Sequence, residues 1–151
     1  MSTKIAAGQR LDTKSVFDRY HKGWEARDPG LIASLHSADT VFHIHDGSEP
    51  ITGRQLLKAQ CAGLFEQFKF SIEKIRLLCG DDFWTFEWLM VMELNDCKGV
   101  LFTAKVEMLD VVTLNHAREV LRKDVYMNGA QRTGAFTRAG IEAKPMSRPL
   151  T

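Results

Sequence analysis

The stretch Leu35–Gly53, LHSADTVFHIHDGSEPITG, decides how the chain is read. It leaves a short helix and turns into a strand over Thr40–Asp46. A turn follows at Gly47-Ser48-Glu49-Pro50, and a new helix opens near Gly53. Alternation along the strand sends Phe42, Ile44 and Asp46 to one face and Val41, His43 and His45 to the other.

Upstream, Asp12 or Thr13 caps a helix that reaches about Ala26, with Val16, Phe17, Tyr20 and Trp24 as its apolar stripe. Asp28 and Pro29 then end that helix and start a short one. Downstream, Thr52 and Gln55 have the spacing of a capping box. The helix they open carries Leu57, Cys61, Leu64 and Phe68 at helical spacing. Past Phe68 the period becomes two. Phe70–Leu77, Phe83–Leu94, Val100–Leu114 and Glu119–Met127 read as strands joined by short polar turns, an antiparallel meander. In the second of these, Trp84, Phe86, Trp88, Met90 and Met92 share one face. The remainder, Asn128–Thr151, shows no apolar period. It divides the chain into an arm (1–11), one domain (12–129) and an extended or disordered tail (130–151).

Helices first and strands afterwards make an α+β fold. Strands this long must twist and bend, and their bulky face needs cover. The result is a cone-shaped, curved antiparallel sheet with three N-terminal helices enclosing an apolar pocket. The outer face keeps Phe83, Leu89 and Val91, which predicts a homodimer. The 151 residues carry a formal charge of +1, which gives no electrostatic basis for nucleic-acid or membrane partners. No apolar run is long enough to span a bilayer. Three cysteines without paired spacing suggest reduced thiols and a cytoplasmic location.

Arg19-Tyr20, Asp28, Leu35, Asp39 and Gly47-Ser48-Glu49-Pro50 through Gly53 resemble, in register, the bacterial ketosteroid isomerases. Asp110–Met127 resembles their last hairpin. The chain is thereby similar to the nuclear transport factor 2-like superfamily, a cystatin-like fold that also includes SnoaL-like polyketide cyclases. The resemblance gives Tyr20 the position of the catalytic tyrosine and Asp110 that of an aspartic acid kept neutral by an apolar site. It gives Ile44 the position of the aspartate base, and isoleucine carries no proton. Asp46 or His45 is the candidate replacement. Trp24, Phe42, Ile44, Val112, Lys123, Val125 and Met127 are expected to line the pocket, and His36 to lie near Tyr20.

Two orientations of Lys123 stay open. Turned inward, it forms an ion pair that keeps Asp110 charged. Turned outward, it reaches water along its stem. His43 and His45 have the spacing of two metal ligands, but no third ligand is evident, so no metal or organic cofactor is expected. Two functions follow. One is acid–base isomerisation, cyclisation or dehydration of an apolar, ring-bearing, steroid- or polyketide-like substrate. The other is non-catalytic binding of a hydrophobic ligand, or dimerisation.

Overall fold

Local capping sets where the helices begin. In the computed structural model, which describes residues 11–150, Asp12 accepts from the Ser15 N–H and opens α1, Thr13–Glu25. The arm expected over 1–11 lies outside the described residues except for Leu11. Asp28 caps α2, Pro29–Ser34, by accepting from the Leu31 N–H. The capping box does not form. Thr52 pairs with Val41 as part of a two-residue strand, so the chain must turn at Gly53. Gly53 holds φ at 91°, a value that favours glycine, and precedes α3, Arg54–Gln67, with no side-chain cap.

The strands are β1 (His36–Ile44), β2 (Ile51–Thr52), β3 (Phe70–Cys79), β4 (Phe83–Asn95), β5 (Leu101–Leu114) and β6 (Val120–Met127). They form one sheet in the order β2-β1-β6-β5-β4-β3. The run β3 to β6 is the expected antiparallel meander, while β1 lies parallel to β6. β1 begins at His36 rather than Thr40, because the backbone of His36 already pairs with Val120. Register shifts at Lys74/Arg76 and Thr113/Leu114 bend the long strands, and the bend makes the sheet concave. Trp84, Phe86, Trp88 and Met92 of β4 and Val106, Met108 and Val112 of β5 are buried on the concave face under Phe17 and Tyr20 of α1.

The expected tail over 130–151 is corrected by the structure. Asn128 caps a fourth helix, α4, Gly129–Ala139, which ends at Gly140 with φ 69°. One aromatic anchors it: Phe136 is 5% exposed and stacks on Phe68 with ring centroids 5.4 Å apart. Arg138 lies over the Phe102 ring at 4.1 Å. A single buried aromatic sets up no apolar period, which explains why the helix is hard to see in the sequence. Beyond it the chain returns across the β1–β2 turn. The Met146 N–H donates to Asp46 at 2.7 Å, and Ser48 bridges Pro149.

Because Phe136 fills the core, Phe136→Ala should cost about 3–5 kcal/mol. Chemical denaturation checks this. A midpoint unchanged from wild type would mean that α4 is not docked in solution.

Candidate functional site

The concave face and the helices close on a cavity of about 80 Å³. Its walls are aromatic and aliphatic, with Met90, Met92, Met108, Met127 and Met146 among them. This is smaller than the ~300–1,000 Å³ of pockets that hold drug-sized ligands. Methionine is flexible and polarisable, so these walls can repack around a guest.

An ionic centre sits in this apolar wall. On the concave face of the β5–β6 ladder, Asp110 pairs with Val125 and Val112 with Lys123, so Asp110 and Lys123 are diagonal neighbours. The Lys123 ammonium lies 3.5 Å from Asp110 Oδ2, with side-chain exposures of 5% and 7%. Lys123 also donates to the Tyr20 oxygen at 3.4 Å and lies 4.3 Å from the Trp24 ring centroid. Burial pulls the lysine pKa down most strongly, but Asp110 and Tyr20 outweigh it and hold Lys123 above its ordinary value. The inward orientation is therefore the one adopted. Asp110 Oδ1 and Trp88 Nε1, both buried at the cavity, have no hydrogen-bond partner.

Tyr20 starts a relay away from the cavity. Its oxygen and His36 Nε2 are 2.8 Å apart, as are His36 Nδ1 and Thr40 Oγ1. Burial first, then the charges of Lys123 and Arg54, push His36 down to about 3. It is thus neutral at ordinary pH. With Lys123 donating to the Tyr20 oxygen, Tyr20 donates its proton to Nε2, and Nδ1–H donates to Thr40. Burial pushes the Tyr20 hydroxyl up to about 12, so it keeps its proton.

Most of the expected residues meet at this cavity: Tyr20, Trp24, Phe42, Ile44, Asp110, Lys123, Val125 and Met127 all line it. Three do not. Val112 is fully buried in the core, outside the cavity wall. His45 lies with Asp124 and Tyr126 on the convex face, at 2.8 Å from Asp124 Oδ1. Asp46 follows the end of β1, where alternation stops. Its carboxylate accepts from the Ser48 and Met146 N–H groups at 3.0 and 2.7 Å. Neither His45 nor Asp46 lines the cavity.

Two cavity groups escaped the sequence reading. His21, one residue after Tyr20 and four after Phe17, lies on the same buried stripe and lines the cavity. Burial, followed by the charge of Lys74, lowers its pKa. Its spacing from Phe17 was the available signal. Arg132 belongs to α4, and its place at the cavity follows from a helix that the sequence did not announce.

Residues 17–123 match the family model of the SnoaL-like domain. No curated protein matches the chain significantly. Among solved structures, a putative SnoaL-like polyketide cyclase from Shewanella putrefaciens superposes with a TM-score of 0.72 at 9% identity. The match covers 91% of this chain and 97% of that one. A hypothetical protein with a ketosteroid isomerase-like fold from Catenulispora acidiphila, solved with trimethylamine, gives 0.68 at 16% identity, covering 89% and 100%. The epoxide hydrolase/cyclase-like enzyme SalBIII, of pyran ring formation in salinomycin, gives 0.64 at 16% identity, covering 78% and 92%.

His36 makes a pH prediction. Its folded pKa lies below the unfolded value, so its contribution to stability is present above pH ~6.5. That contribution is lost as pH falls toward about 3, because the unfolded chain takes a proton that the folded chain refuses. The loss is on the order of 5 kcal/mol. In His36→Gln the stability curve, measured by denaturant titration, should be flatter by about that amount across this window. An equal slope in both proteins would contradict a buried neutral His36.

Proposed function

The chain belongs to the SnoaL-like domain family, and from that premise we propose that its cavity performs acid–base chemistry on a compact, largely apolar carbonyl compound. The observation that carries this reading is the buried Lys123–Asp110 pair with one carboxylate oxygen free of partners at the cavity wall. The Lys123 ammonium forms an ion pair with the Asp110 carboxylate. An ionised carboxylate in an apolar site is a base rather than a hydrogen-bond donor. The Tyr20 proton is directed to His36, so the substrate oxygen is held by the Lys123 ammonium, with Tyr20 positioning it.

The reaction then follows from the charges. Asp110 Oδ1 takes a proton from the carbon next to the carbonyl, and the C–H electron pair moves into the enolate. The negative charge on oxygen is met by Lys123. The proton held by Asp110 then goes to another carbon in isomerisation, to a departing β-hydroxyl that leaves as water in dehydration, or to the alkoxide formed by attack on a second carbonyl in cyclisation. A one-ring ketone suits the cavity, whereas a steroid-sized guest requires the methionines to move.

The test is hydrogen–deuterium exchange at the α-carbon of small cyclic ketones, followed by NMR, together with quenching of tryptophan fluorescence. Wild type should catalyse exchange. Asp110→Asn should lose about 10²–10⁴-fold, the usual contribution of a positioned base. Quenching without exchange, unchanged in Asp110→Asn, would favour a non-catalytic binding protein.

The convex face leaves Ile75, Phe83 and Tyr126 exposed, and self-association into a homodimer through this face is the arrangement we propose. Among the described residues no helix is long and apolar enough to cross a membrane. A cytoplasmic site of action is part of the proposal. Light scattering should give the mass of two chains at micromolar concentration. A single-chain mass across that range would remove the dimer from this picture.

A further inference from the structure

We propose that His43, His45 and Asp124 form a site for one divalent late transition-metal ion, zinc being the best fit, on the convex face of the β1–β6 pair. The topology builds this site. His43 lies on the convex face of β1, His45 follows the strand's last residue with its N–H still donating to the Val125 carbonyl, and the parallel register sets Asp124 of β6 opposite His43. One ligand atom from each residue lies within 4.8 Å of the other two. His45 Nε2 is 2.8 Å and His43 Nδ1 4.0 Å from Asp124 Oδ1. All three side chains are largely buried, at 12%, 28% and 14% exposure for His43, His45 and Asp124.

The surroundings orient these atoms toward a shared point. His43 Nε2 lies 2.8 Å from the Ser48 carbonyl oxygen, which can only accept. The proton is therefore on Nε2, and Nδ1 presents its lone pair on the side of Asp124. This is the outer-shell hydrogen bond that typically fixes a metal-ligating histidine. His45 stacks on Tyr126 at 4.0 Å with an interplanar angle of 8°, which holds its ring plane. Arg122 Nε donates to Asp124 Oδ2 at 2.8 Å and orients the carboxylate. Its second bond, to Oδ1 at 3.0 Å, must yield to the ion.

Binding through His45 Nε2 requires the ring proton to sit on Nδ1, and water fills the remaining position. Two imidazole nitrogens and one carboxylate oxygen suit zinc and its neighbours rather than magnesium or calcium, which want an oxygen shell. The site lies behind the cavity wall, because Phe42 and Ile44 alternate with its histidines. It would tie β1 to β6 and is independent of any chemistry in the cavity.

The test uses the full chain stripped with a chelator and titrated with zinc chloride by calorimetry, with cobalt(II) as a visible-absorption probe. We expect one ion per chain, bound at concentrations on the order of micromolar. His45→Gln and Asp124→Asn should each weaken binding at least about tenfold. Zinc should raise the melting temperature of wild type but not of His45→Gln. The exposed Cys79 and Cys97 are the rival ligands, so the Cys79→Ser/Cys97→Ser variant must still bind. No saturable binding below about 100 µM would overturn the proposal. So would binding retained in folded His45→Gln and Asp124→Asn, or binding lost with the two cysteines.

Discussion

A lysine ammonium in an apolar cavity is tolerable only if something nearby carries the opposite charge, and this constraint organises the interior. Lys123 is 4% exposed and Asp110 5%. An isolated charge at that depth costs several kcal/mol, and either group alone would be forced toward its neutral form. Together they stay charged, and the aromatic faces of Trp24 and Tyr20 add a second attraction for the cation. The Tyr20 hydroxyl must then point its hydrogen bond elsewhere: it donates to His36 Nε2, and His36 Nδ1–H donates in turn to Thr40. The pair thus ties the polar contacts of residues on α1, β1, β5 and β6 into one network.

The same strand alternation that builds this interior also builds the outside. Phe42 and Ile44 of β1 meet Lys123 and Val125 of β6 on the concave face, while His43 meets Asp124 on the convex face. An inner polar centre and an outer one are therefore set back to back by a single parallel register. A slip of one residue would exchange them, exposing Phe42 and burying His43. Burial of Phe42 and Val125 fixes that register.

What the sequence made legible was local and periodic. Asp12 and the Asp28-Pro29 pair announced their helices through capping chemistry, and β4 announced its inward face through Trp84, Phe86 and Trp88. Tyr20, Ile44 and Asp110 all line the cavity. What stayed hidden depended on contacts distant in sequence. Thr52 has good capping chemistry, but strand pairing with Val41 competes for it and wins. Phe136 anchors α4 through Phe68, and one aromatic makes no period. The third member of the histidine cluster, Asp124, is 79 positions from His45, and only the parallel pairing of β1 with β6 brings it near. Lys123 could not be oriented from alternation alone, because lysine stems reach water from either face.

The fate of Asp46 joins these strands of argument. Continued alternation would have put it in the cavity beside Ile44, where it could have replaced the missing base. β1 instead ends at Ile44, and the Asp46 carboxylate turns to the Ser48 and Met146 N–H groups. Met146, Arg132 and Phe136 in turn form part of the cavity wall. A carboxylate that anchors the wall through these bonds does not itself line the cavity. With Ile44 apolar and Asp46 committed to the wall, Asp110 remains as the carboxylate that lines the cavity. Lys123 is the charge paired with it.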